Sequence, residues 1–218
     1  MTKSLKFKCF MLLSSLCCGY VKANPKTIPG QNATSCINAN SCINAMKYWV
    51  KDIGFDGFRA DVAGFVPLDF WQPLCPELDA IKPVFMLAKW ETRDLHAKAF
   101  DATYGWSWYE AAHQIAQGHA DVNTLYLYYS WNERHYPQDI FRMQDVTNHD
   151  VNAWEQTEFK AFSQALPALM ALSVVGEGMP MIYNGQEAGN RKQRAFLSAT
   201  LLSGVNMKTA LCIKNALR

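Results

Sequence analysis

The sequence predicts an α/β fold with a parallel sheet. Short apolar stretches that read as strands alternate with stretches whose apolar residues recur at helical spacing. This alternation favours parallel strands joined by right-handed crossovers. The clearest strand is the continuous apolar run Pro83–Ala88, as expected of a strand buried on both faces.

Polar side chains capable of chemistry lie at or just past the carboxyl ends of the predicted strands. They are Arg59, Asp61, Glu91, His149 and Asp150. The carboxyl ends of the strands are where a (β/α)-barrel holds its active site. A doubly wound sheet would hold its ligand at the same edge, so both architectures stay open at this point. The sequence contains no glycine-rich phosphate loop, which disfavours a nucleotide-binding sheet.

Each element has its own signal. Apolar residues at helical spacing, ended by glycine, predict helices, and short apolar runs predict strands. In the first half of the chain these are a helix over 43–53 ended by Gly54, a strand over 55–61, a proline-interrupted helix over 68–81 and the strand over 83–88. In the second half they are a helix over 108–115 ended by Gly118, the longest helix, marked by apolar residues over 159–170 and ended at Gly176 and Gly178, and a strand over 179–183.

The N-terminal segment has the layout of a secretory signal. Lys3, Lys6 and Lys8 precede an apolar run, and small residues around Ala23 offer a cleavage site. We therefore predict a signal peptide over 1–23 and a secreted or periplasmic protein. Residues 24–41 are rich in Asn, Pro, Gly and Ser. This composition predicts a linker before a folded domain over 42–196.

Composition bounds the partners and cofactors. The formal net charge is only +2 and no basic stripe appears, so a nucleic-acid partner is not indicated. The cysteines that follow the predicted signal lack metal-ligand spacing, so we expect no zinc site. No redox or nucleotide cofactor is implied, the residues present do not support calcium, and the sequence does not indicate an oligomeric state.

The strand-end carboxylates have the composition of a glycosidase site. Retaining cleavage of a glycosidic bond needs a carboxylate nucleophile and a carboxylic acid about 5 Å apart. A third carboxylate often helps to hold the distorted sugar. Asp61, the region of residues 89–91, and Asp150 supply three such positions on three predicted strands.

Three ordered motifs resemble the alpha-amylase family, glycoside hydrolase family 13. They are Gly57–Ala63, the segment Phe141–Asp150 ending in Asn-His-Asp, and Gly178–Glu187. The resemblance runs from about Met46 to Gln193 and implies strands four to eight of a (β/α)8 barrel, that is, a partial or truncated one.

The resemblance also implies roles for individual residues. It makes Asp61 the nucleophile, Arg59 the cation that holds it, Asp150 the transition-state stabiliser and His149 a sugar-hydroxyl contact. The implied reaction is retaining hydrolysis of alpha-glucosidic bonds in starch-like glucans, with an alpha-glucan or maltooligosaccharide as substrate.

The sequence departs from the family at the fifth-strand acid. Lys89 stands where the proton donor is expected. An ammonium group is a poor acid near neutral pH, opposes an oxocarbenium-like transition state and should pair with Asp61. On an extended strand the Glu91 side chain would point to the same face as that of Lys89, but it would lie about 6–7 Å further along the strand. We therefore expect impaired catalysis, with Glu91 the candidate replacement acid.

The tail over 197–218 loses family character, and we interpret it as the product of a frameshift near residue 196. Two alternatives to an active hydrolase stay open. One is a non-catalytic glucan-binding remnant, and the other is a gene fragment whose product does not fold stably.

Overall fold

The computed structural model describes residues 10–12 and 32–194, with side chains from residue 40 onward. The chain divides into two compact units, Met1–Tyr104 and Gly105–Arg218. The predicted tail over 197–218 lies outside the described residues. So does the predicted signal peptide, apart from the backbone of Phe10–Leu12. Both interpretations stay predictions.

The first unit is built on parallel strands. Its elements are β1 (Phe10–Leu12), α1 (Asn32–Lys51), β2 (Gly57–Ala60), α2 (Leu68–Asp79), β3 (Phe85–Ala88) and β4 (Ala102–Tyr104), with 3-10 turns at Ala63–Phe65 and Asp94–His96. Strand β2 pairs with β1 and with β3, and β3 pairs with β4, all in parallel. Neither β1 nor β4 was among the strands predicted from the sequence.

Alternation along β2 and β3 separates two faces of this sheet. Phe58 and Met86 belong to a buried apolar core together with residues of the two helices. Its helical members include Met46, Val50, Trp71, Leu74 and Leu78. Because successive strand residues point to opposite faces, Arg59 and Leu87 project away from that core. The sheet thus has a helix-covered face and a face that carries Arg59.

Helix α1 begins earlier than the sequence indicated. The helix predicted over 43–53 is confirmed, but α1 starts at Asn32, so residues 32–41 of the predicted linker are helical and not a loop. The Asn- and Ser-rich composition suggested a loop. The segment 32–51 nevertheless contains neither Pro nor Gly, so nothing in it breaks a helix. Gly54 follows at φ 88°, a left-handed conformation that suits glycine at a helix end.

The second unit contains the remaining described elements. They are α3 (Trp106–Ala116), α4 (Asn123–His135), β5 (Phe141–Gln144), a π-helical turn (Val151–Glu155), α5 (Glu158–Phe162), a 3-10 turn (Ser163–Ala165), α6 (Leu166–Val175) and β6 (Met179–Pro180). Strands β5 and β6 pair in parallel, with Met143 opposite Met179. A second apolar core, around Trp108, Phe162 and Leu169, packs these helices together.

One helix prediction in this unit is wrong. The segment over 159–170 is not a single helix, because Ser163 takes φ 45° and separates α5 from a 3-10 turn and α6. A positive φ at a non-glycine residue interrupts the regular helical hydrogen bonding. Helix α4 had no counterpart among the predicted elements.

The parallel strand pairs and the helices between them confirm the predicted α/β class. Among the described helices, none combines the length and apolar character that a membrane crossing requires.

Candidate active site

Arg59 and Asp61 mark the carboxyl end of β2. They are two residues apart, so they lie on the same face of the strand. Arg59 is buried, with 4% of its surface exposed, and its Nη1 donates to Asp61 Oδ1 at 3.1 Å. Asp61 is more exposed than Arg59. The strand stops here because Val62 turns the backbone into the left-handed region at φ 49°.

Lys89 lies beside Asp61. Ala88 at the end of β3 pairs with Ala60, and the Lys89 backbone N–H donates to the Ala60 carbonyl at 2.9 Å. The Lys89 Nζ then stands 3.4 Å from Asp61 Oδ1. This contact confirms the expected pairing of Lys89 with Asp61. Two cations therefore contact the same carboxylate oxygen.

Tyr104 belongs to the same cluster and was missed by the sequence analysis. Its hydroxyl accepts a hydrogen bond from Arg59 Nε at 2.8 Å, across 45 residues of sequence. Its ring also lies near the guanidinium, with Arg59 Cζ 5.6 Å from the centroid. Tyr104 is the last residue of β4. A strand of three residues is too short to show the alternation of apolar and polar residues that would identify it in the sequence.

Glu91 lies past the end of β3. The strand ends at Ala88 and a bend occupies Lys89 and Trp90. Strand alternation therefore no longer determines the direction of the Glu91 side chain, which is partly buried. Its role as a replacement acid stays a prediction.

His149 and Asp150 lie together in the second unit. The His149 Nε2 stands 3.4 Å from Asp150 Oδ1, and both side chains are partly exposed. Asn148 shapes this turn, because its Oδ1 accepts the backbone N–H groups of Asp150 and Val151, each at 2.9 Å. The structure thus groups Arg59 with Asp61 in the first unit and His149 with Asp150 in the second.

Asp145 is hydrogen-bonded to the turn that carries His149 and Asp150. It is buried at the end of β5 and accepts a hydrogen bond from Asn148 Nδ2 at 3.1 Å. Burial raises the pKa of Asp145 to about 7; the Asn148 hydrogen bond opposes the rise, and the charge of Asp150 adds to it. Sequence analysis did not single out this carboxyl group, although it directly follows a strand.

Within the part of the chain that the structure describes, no three or more His, Cys, Asp or Glu side chains lie together as metal ligands would.

The chain is similar in sequence to known proteins. The chain is 26% identical over 182 residues to alpha-amylase 2 of Dictyoglomus thermophilum, covering 79% of this chain and 31% of that protein. It is 30% identical over 151 residues to alpha-amylase MalA of Haloarcula japonica, covering 66% of this chain and 22% of that protein. No protein-family model matches the chain.

A solved structure agrees with these relatives. The maltogenic alpha-amylase AmyB of Thermotoga neapolitana superposes with a TM-score of 0.72 at 27% identity, covering 85% of this chain and 44% of that one. This chain spans about a third or less of the length of the two alpha-amylases from Dictyoglomus thermophilum and Haloarcula japonica.

The parallel α/β fold, with an arginine and a carboxylate at a strand end, matches part of the catalytic barrel of a maltogenic alpha-amylase. In sequence and in fold the chain is similar to alpha-amylases, and its fold corresponds to part of their catalytic barrel.

Proposed function

We propose that this chain is an alpha-amylase-type domain that binds alpha-glucans and is impaired in hydrolysis. Its relatives bear the names alpha-amylase and maltogenic alpha-amylase, which supports starch-like glucans or maltooligosaccharides as ligands. The observation that carries the impairment is the 3.4 Å contact between Lys89 Nζ and Asp61 Oδ1.

The contact opposes both the attack by the Asp61 nucleophile and the development of positive charge on the sugar. At an effective dielectric constant of about 20, opposite unit charges 3.4 Å apart attract by about 5 kcal/mol. A nucleophile would have to give up much of that attraction to bond the anomeric carbon. The same ammonium also opposes the positive charge that develops on the sugar ring.

Lys89 also leaves the expected position without a general acid. Positioned proton transfer contributes about 10²–10⁴-fold to a typical enzymatic rate. An ammonium group is a poor proton donor near neutral pH. Arg59 and Asp61 still offer polar contacts at the strand end, which supports binding without efficient turnover.

Turnover of a chromogenic maltooligosaccharide by wild type, Lys89→Glu and Asp61→Asn tests the impairment. We expect wild type to be no faster than Asp61→Asn, and Lys89→Glu to be at least about a hundredfold faster. Lys160→Glu, at an exposed lysine of α5, is the charge-matched control and should leave the rate unchanged. Wild-type turnover that Glu91→Gln abolishes would contradict the proposal.

Calorimetry with maltohexaose tests the binding half. We expect saturable binding to the wild-type chain without product formation. A cooperatively folded chain that binds no maltooligosaccharide would rule out glucan binding. A broad, non-cooperative melt together with binding of the dye ANS would instead favour the alternative of an unstable fragment.

A further inference from the structure

The carboxyl ends of β2, β3 and β4 place three side chains in one lateral row. Ala60 pairs with Ala88, and Ala88 pairs with Thr103. Extending this register by one residue sets Asp61 beside Lys89 and Lys89 beside Tyr104. Backbone bonds continue past the strands, since the Tyr104 N–H donates to the Trp90 carbonyl at 3.1 Å.

The backbone of Arg59 lies two residues before Asp61 on β2. Its register partner on β3 is Leu87, and the register partner of Leu87 on β4 is Ala102. The side chain at Ala102 ends at Cβ, so the small residue leaves room beneath Tyr104. The long Arg59 side chain reaches diagonally into the upper row, where it contacts Asp61 through Nη1 and Tyr104 through Nε.

The two contacts hold different edges of one planar group. The guanidinium presents its donors in a fixed fork, so fixing Nε also fixes the direction of the Nη atoms. The bond from Nε to the Tyr104 hydroxyl is short, at 2.8 Å, and buried. The bond from Nη1 to Asp61 is longer, at 3.1 Å, and partly buried. The orientation of the guanidinium is therefore anchored on the Tyr104 side.

Arg59 is also sensitive to the loss of this anchor. Its Nη2 is already buried without a hydrogen-bond partner among the described residues. Removing the Tyr104 hydroxyl would leave Nε as a second buried donor without a partner, and a buried unsatisfied donor of a charged group is costly. The side chain would then turn to recover a partner and shift Nη1 relative to Asp61.

We propose that Tyr104 is a positioning residue of this site. By accepting the Arg59 Nε–H it fixes the guanidinium plane, and through that plane it holds Asp61 Oδ1 against Arg59 independently of Lys89. Its effect on glucan affinity rests on the proposed function, whereas its effect on Arg59 does not.

The first test observes Arg59 directly, by NMR of the full chain with isotope-labelled arginine. The Arg59 Nε–H signal is identified by its absence in Arg59→Lys. In wild type we expect this proton to exchange with water at least about tenfold more slowly than that of the exposed Arg93. Exchange as fast as at Arg93 would overturn the proposal, and this outcome needs no variant of Tyr104 to fold.

Tyr104→Phe removes the hydroxyl alone and should accelerate Arg59 Nε–H exchange about tenfold. Tyr128→Phe, at a buried tyrosine of the second unit, is the matched control and should leave the signal unchanged. An unchanged Arg59 signal in Tyr104→Phe would show that the hydroxyl does not anchor the guanidinium.

A double-mutant cycle then separates positioning from a merely structural role. Tyr104→Phe should weaken maltohexaose binding about tenfold in wild type and less than about twofold in the Arg59→Met background. Equal losses in both backgrounds would contradict action through Arg59. A wild-type chain that binds no glucan would refute the proposed function, yet leave the exchange measurements to decide the role of Tyr104.

Discussion

Replacing Asp145 by Asn should change how stability depends on pH. Asp145 is buried, and burial together with the charge of Asp150 raises its pKa from the ordinary 3.8 to about 7. Asn has a similar shape and cannot ionise. Its amide oxygen can still accept the hydrogen bond that Asn148 Nδ2 donates to Asp145 Oδ1 at 3.1 Å. The substitution therefore removes a titration and retains that contact.

The sign follows from proton binding. As the pH rises from about 4 to 7, the unfolded chain releases the Asp145 proton while the folded chain keeps it, so the folded state loses stability with rising pH. Below the unfolded pKa both states are protonated, and above about 7 both are ionised. At 1.36 kcal/mol per pKa unit, the rise from 3.8 to about 7 corresponds to about 4 kcal/mol.

Urea unfolding at about pH 4 and pH 8 measures this difference. Relative to wild type, Asp145→Asn should be more stable at the higher pH than at the lower one by up to about 4 kcal/mol, or about 2 M in midpoint. Asp139→Asn, at an exposed aspartate, is the control and should shift equally at both pH values. An Asp145→Asn shift that is also equal at both pH values would refute the reasoning.

Two further substitutions test the packing. Gly64→Ala should destabilise the fold by about 1–3 kcal/mol in thermal or urea unfolding, because the added Cβ would approach the Trp90 ring to 2.2 Å. Gly118→Ala, where nothing lies within 4 Å of the new Cβ but φ is +74°, should lose only about 1 kcal/mol, and equal losses at the two glycines would count against the Trp90 contact. Leu74→Ala should cost about 2–5 kcal/mol in urea because Leu74 is fully buried in the first core. Val122→Ala, at a residue that is 70% exposed, should stay within about 0.5 kcal/mol, and a Leu74→Ala loss of that size would show that the core is not packed as described.

Strand positions could be predicted where the local pattern is strong. The runs at Gly57–Ala60 and Phe85–Ala88 are buried on both faces, and such burial demands apolar residues at nearly every position. The expectation that Lys89 pairs with Asp61 came from the family resemblance, which puts Lys89 at the position of the proton donor, and the 3.4 Å contact confirms it.

Helix α4 shows where local pattern fails. Its sequence is rich in Tyr, Leu and Trp, residues that are common in strands as well as in cores. Only Leu125 and Tyr128 are buried in it, while Tyr126, Leu127 and Trp131 are exposed. The apolar residues therefore do not follow the buried face, and a period read from the sequence does not reveal the helix.

The sequence by itself determined which residues stand at the strand ends, including Lys89 at the position of an expected acid. Only the tertiary structure decided their partners, namely that Tyr104 anchors Arg59 and that Asp145 is buried beneath the His149–Asp150 turn. The physical reason is the separation along the sequence of the residues that determine each feature. Side-chain alternation is a local property of a strand, whereas lateral register and burial depend on segments that are distant in sequence.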